Sequence, residues 1–152
     1  MTEKFKLTYA TMFDPPDELH TRFESALADF KSNLGQEYGM IIKGEDHFTG
    51  DKFEDPSPID TELVLGKFQK GDAADANKAL AAARAAFPDW SGMPWQERVE
   101  LLRKAADVID ERTFAIGAAM SMEVGKNRME SLGDVAETAD LIRYACYQME
   151  KN

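Results

Sequence analysis

Glu130, Asp134 and Glu137 recur at i, i+4 and i+7. That spacing gathers three carboxylates on one face of a helix, because each helical residue turns the chain by about 100°. Such a face could ligate a hard divalent cation with help from further ligands, or be an acidic stripe turned to solvent. The other reactive types are sparse. Cys146 falls on the apolar side of the same periodic segment, with only the basic Arg143 nearby to activate it, and buried packing is its expected role. His20 and His47 have no metal-ligand partners at helical spacing and read as a surface residue and a loop residue. No Gly-x-Ser-x-Gly elbow accompanies them, so a hydrolytic triad lacks its parts.

Nucleotide motifs fare no better. The chain contains no Gly-x-Gly, which removes the dinucleotide fingerprint and the kinase glycine loop. Gly125-Lys126-Asn127 superficially suggests a phosphate loop, but residue 120 is Met and no hydroxyl follows the lysine. The tight turn and the magnesium ligand are both missing.

Amphipathic helices must position whatever these residues do. Leu19, Phe23, Leu27, Phe30 and Leu34 keep three-and-four spacing, with Asp14 placed to cap, Pro15 suited to the first helical position and Gly35 placed to end the helix. Residues 38–70 change to glycine and proline punctuation, predicting short strands: a hairpin through Met40–Glu45 to Phe48-Thr49-Gly50, and a buried strand at Leu63-Val64-Leu65. Asp72-Ala73-Ala74-Asp75 opens an alanine-rich helix that Pro88 is expected to stop. A helix follows from near Pro94, carrying Val99, Leu102, Ala106 and Ile109. Another covers Phe114–Met122 and is broken at Gly125. In the last, Asn127 caps, and Leu132, Val135, Ala139, Ile142 and Cys146 line the side opposite the acids.

Composition narrows the class. The 152 residues are 43% hydrophobic and 30% charged, the balance of a soluble globular fold. With 28 acidic against 18 basic residues the formal charge is -10, which repels phosphate backbones and anionic lipid heads, so neither nucleic acid nor membrane is expected as a partner. Met1-Thr2-Glu3-Lys4-Phe5-Lys6 lacks the apolar run of a targeting segment, and the single cysteine is compatible with a reducing, cytoplasmic setting.

From Ile41 onward several phrases, in register, resemble the N-terminal part of the aldehyde dehydrogenase superfamily. They are Ile42-Lys43-Gly44-Glu45, Pro56-Ser57-Pro58 with Leu65-Gly66, and Asp72-Ala73-Ala74-Asp75-Ala76 with Ala82-Ala83, Ala86-Phe87 and Trp90. Arg98 and Leu102 suit the next helix, and Glu123-Val124-Gly125-Lys126 with Glu130 and Asp134-Val135 resembles the segment before the substrate entrance. The extra N-terminal helix and Asp134-Val135-Ala136-Glu137 are most similar to the branch that oxidises L-glutamate gamma-semialdehyde to L-glutamate in proline breakdown.

The resemblance implies an α/β fold, represented here by a helix-rich opening segment with a few short strands. It implies an N-terminal helical extension over residues 1–37, strands and turns over 38–70, and over 71–152 the first helices of an incomplete dinucleotide-binding domain. It also implies NAD as cofactor of the full-length enzyme, a cysteine nucleophile, a glutamate base, a small aldehyde substrate and a homo-oligomer. Cys146 does not match the nucleophile's motif, and no catalytic, cofactor-binding or metal-binding residue is assigned in this chain. One role carries over: Glu137 matches a glutamate bordering the aldehyde's entrance, where it could orient the substrate's ammonium group, the alternative being a solvated helix acid. Tyr144-Ala145 departs from the two aromatics common in the family. The periodic pattern is still running at Met149-Glu150-Lys151-Asn152, so the expectation is the N-terminal fragment of a longer enzyme, inactive alone. The rivals are a self-contained helical interaction module and an acidic cation-binding helix protein.

Overall fold

The computed structural model describes residues 14–152; the opening Met1–Lys6, read above as free of a targeting segment, lies outside the described residues. Among the described residues helices dominate, with five short strands between them. The described residues divide into two units, Asn33–Arg98 and, in the other, residues 14–32 with Val99–Asn152.

In the first of these, β1 (Gln36–Tyr38) pairs in parallel with β5 (Val64–Gln69), which pairs antiparallel with β4 (Lys52–Pro56), giving the order β1-β5-β4. Tyr38 and Phe53 both stand opposite Phe68, and their rings stack on it at centroid distances of 5.3 and 5.8 Å. Gly66 makes room for this, since a Cβ there would come within 2.8 Å of the Tyr38 ring. β2 (Met40–Ile42) and β3 (Glu45–His47) form a hairpin, in register Met40 to His47 and Ile42 to Glu45, tighter than expected: the chain turns at Lys43-Gly44, and Phe48-Thr49-Gly50 lies beyond the second strand. Its turn places Lys43 and Gly44 at φ 57° and 80°, the left-handed pair that matches strand twist.

Helix α1 occupies Asp17–Lys31 and α2 occupies Ala73–Gly92. α2 opens on a full capping box: Asp72 accepts from the backbone N–H groups of Ala74 and Asp75, and Asp75 in turn accepts from the Asp72 N–H. Pro88 does not stop α2, contrary to expectation. Proline forfeits one backbone bond, but Met93 N–H still closes on the Asp89 carbonyl, and the Arg98 guanidinium donates to the Trp90 and Met93 carbonyls at 3.2 and 2.7 Å. That clip satisfies carbonyls a helix end normally leaves open.

The other unit contains α1, most of α3 (Trp95–Glu111), α4 (Thr113–Val124) and α5 (Arg128–Lys151). α1 starts later than Asp14-Pro15 suggested, with Pro16 extended at the cap position and Leu19 N–H bonding to its carbonyl. A residue that precedes proline is pushed out of the helical region, so Pro15 cannot begin the helix. Leu19 and Phe23 of α1, Ala118 of α4 and Leu132 of α5 form one buried cluster. Gly117 lies beside it, so close that a Cβ there would meet Leu132 Cδ2 at 2.9 Å. Ser121 and Ser131 are buried together with their hydroxyls 2.8 Å apart. Because Ser131 gives its proton to the Asn127 carbonyl, Ser121 is the donor to Ser131. Arg143 of α5 reaches Asp107 and Asp110 of α3 at 2.8 and 2.6 Å. Among the described residues no helix is long and apolar enough to cross a membrane.

Candidate functional site

The acidic stripe runs along the first half of α5. Gly125 closes α4 in the left-handed conformation at φ 72°, Asn127 accepts from the N–H groups of Met129 and Glu130, and α5 sets off at once. This short corner brings Lys126 back along α5, where its ammonium hydrogen-bonds the Asp134 carboxylate. The Asp134 bond, and then the charges of Asp134, Glu130 and Glu137, hold the Lys126 ammonium above the ordinary lysine range. Asp134 is half-buried, while Glu130 and Glu137 are exposed. Glu137, on the next turn, makes no ion pair among the described residues.

Asp134, the middle member of the stripe, therefore already has a cation as its partner. No group of three His, Cys, Asp or Glu side chains able to hold a metal occurs among the described residues. Cys146 is buried, its sulfur 3.8 Å from the Val99 carbonyl, as a packing residue would be.

Both histidines are more engaged than their sequence neighbourhood suggested. His20 is half-buried on α1, with Nδ1 2.6 Å from Arg128 Nη1. Arg128 also pairs with Glu24 and lies over the Phe23 ring at 4.7 Å. His47 is not a loop residue: it ends β3, half-buried, with Nε2 3.0 Å from Asp75 Oδ1 and 3.4 Å from Lys78 Nζ. Asp75 is a residue that sequence reasoning missed. Its carboxyl is held down at about 2 by the Asp72 N–H first, then by Lys78 and His47. The capping-box spacing was the available signal, and the histidine comes from 28 positions away.

Two helix starts have the placement a dinucleotide would need. β5 leads through Gly71 into α2, the strand-turn-helix order that receives a pyrophosphate in nucleotide folds. Here the Asp72 carboxylate already occupies the N–H groups at 2.7 and 2.9 Å, and the space over Gly71 is filled by Met40 Sδ, 2.9 Å from where a Cβ would stand. At α5 the Asn127 side chain occupies the equivalent place. Neither start fits NAD. An open groove of about 360 Å³ on the helical unit, lined by Arg22, Ser25, Asp29, Glu111, Arg112 and Phe114 among others, carries both signs of charge and does not include Glu137.

Residues 46–152 match the profile of the aldehyde dehydrogenase family. The chain is similar to the 1-pyrroline-5-carboxylate dehydrogenase of Staphylococcus aureus (strain MW2), with 35% identity over 127 residues, covering 84% of this chain and 25% of that protein. The crystal structure of 1-pyrroline-5-carboxylate dehydrogenase from Thermus with bound NAD has the same fold over 97% of this chain and 28% of its own, with a TM-score of 0.86 and 32% identity. Proline utilization A (PutA) from Bdellovibrio bacteriovorus, inactivated by N-propargylglycine, matches with a TM-score of 0.87 and 28% identity over 90% of this chain and 14% of its own. The chain thus spans about a quarter of the length of the curated relatives it matches.

Proposed function

The chain belongs to the aldehyde dehydrogenase family, and from that premise we propose that it is the opening part of an enzyme oxidising L-glutamate gamma-semialdehyde to L-glutamate with NAD+. The observation that carries this reading is the similarity, in both sequence and fold, to proteins named 1-pyrroline-5-carboxylate dehydrogenase along most of the chain. On it, residues 1–37 are an N-terminal extension, 38–70 the strands and turns, and 71–152 the first helices of the dinucleotide-binding domain. NAD, the cysteine nucleophile and the glutamate base act from outside these residues, in a cytoplasmic homo-oligomer. NAD accepts the hydride when bound.

This chain's contribution is the entrance. Glu137 is exposed on α5 and makes no ion pair among the described residues, which suits a carboxylate that accepts a charge-assisted hydrogen bond from the substrate's ammonium group. Such a bond orients the aldehyde without touching its reacting carbon. The interaction-module reading has no comparable support, since the similarity is to enzymes along most of the chain.

The test places the 127-residue match ahead of the complementary three quarters of the Staphylococcus aureus relative. The fusion is expected to form NADH from glutamate semialdehyde, and the 152-residue chain alone to form none. A folded fusion without turnover, or turnover by the chain alone, overturns the reading. If the fusion is insoluble, co-expression of the two parts as separate chains makes the same decision. Glu137→Ala should lower kcat/KM for the semialdehyde about ten-fold, the worth of one hydrogen bond to a charged group, and spare an uncharged aldehyde. Equal losses remove the role of Glu137.

A further inference from the structure

Three acids on one helical face repel one another, and α5 meets that cost with a lysine from outside the helix. We propose that Lys126 is a positioning residue for the entrance: its ammonium holds Asp134 and tempers the pull that Glu137 exerts on a cationic substrate. This rests on the reading of Glu137 given above.

The geometry has two parts. The left-handed Gly125 turns the chain so that Lys126 lies alongside α5 rather than continuing α4, and its ammonium is fixed by the Asp134 hydrogen bond. Asp134 and Glu137 are three residues apart, neighbours on one helix face. A cation tied to the first therefore stands within the field of the second, and the charge of Glu137 contributes to keeping Lys126 protonated. Glu130 and Asp134 would otherwise add their negative potential to that of Glu137, and an ammonium-bearing substrate would be held too tightly at the mouth. Binding of that kind acts equally on ground and transition states, so it lowers KM without raising kcat.

The experiment uses the fusion enzyme. Lys126→Met is expected to lower KM for glutamate semialdehyde about two- to five-fold, the range of an exposed charge pair, with kcat unchanged. KM for an uncharged five-carbon aldehyde should not move, Lys126→Arg should behave as the parent, and raised salt should erase the difference. The effect of Lys126→Met should also vanish in a Glu137→Gln background. A purely structural lysine would change both aldehydes alike, and that result overturns the proposal. Lys126→Gln gives a second variant should Lys126→Met fold poorly. If Glu137→Gln discriminates between the aldehydes and Lys126→Met does not, Lys126 has no positioning role and the Glu137 reading stands. If Glu137→Gln affects both equally, that reading fails and this inference falls with it.

Discussion

His47 Nε2 and Asp75 Oδ1 lie 3.0 Å apart, so the last residue of a hairpin is pinned to the first turn of the helix that starts 26 residues later. Asp75 performs two tasks with one carboxylate: Oδ2 accepts from the Asp72 N–H, and Oδ1 faces His47 and Lys78.

The pH dependence of this clamp has a definite sign. Asp75 titrates near 2 in the fold against an ordinary 3.8, so the folded state favours its ionised form. Its contribution is complete above about pH 4 and is lost as the pH falls toward about 2. Thermal unfolding followed by circular dichroism should therefore show Asp75→Asn less stable than the parent at neutral pH, with the gap closing in that acid window. A gap that persists at pH 2 would mean the charge is not what stabilises the clamp.

The helical unit should be most sensitive at its buried cluster. Leu132 is fully buried against Leu19, Phe23 and Ala118, and Leu132→Ala should cost about 2–5 kcal/mol. Gly117→Val, which drives a side chain toward Leu132 Cδ2, should cost about 1–3 kcal/mol by overpacking. Urea unfolding midpoints measure both, and a neutral Gly117→Val would show that α4 and α5 can separate without penalty.

One substitution should stabilise. Lys43 occupies the left-handed region at φ 57°, a conformation that costs an ordinary L residue roughly 1 kcal/mol more than it costs Asn or Gly. Lys43→Asn should therefore raise Tm, while Lys43→Val should lower it. Scanning calorimetry of the three chains gives the order.

Where apolar spacing or turn chemistry carried the information, the elements were legible. Met40–Ile42 announced the first limb of the hairpin, though the turn falls earlier than Phe48-Thr49-Gly50 implied; Asn127 announced the start of α5, and Cys146 fell on the buried side as its period required. β1 and β4 were not legible, because Gln36–Tyr38 and most of Lys52–Pro56 are exposed and carry no alternation to read. Pro88 misled because a proline inside a helix forfeits one hydrogen bond without having to end it, and the Arg98 guanidinium that ties down the end of α2 through the Trp90 and Met93 carbonyls comes from ten residues on, which no local rule anticipates. The surroundings of the candidate site were half-visible. The three acids declared themselves by spacing, but Lys126 joins them only through a backbone corner at Gly125, and His47 meets Asp75 only in three dimensions.

The Ser121 and Ser131 hydroxyls have a consequence for how α4 and α5 mate. Oily contacts alone tolerate sliding, since one methyl group substitutes for another at little penalty. Two hydroxyls sealed from water do not, because any offset of one helix along the other leaves each without its mate. The serine pair therefore acts as a detent: it permits a single alignment of the two rods, and so fixes how far along α5 every later side chain, Glu137 included, is carried.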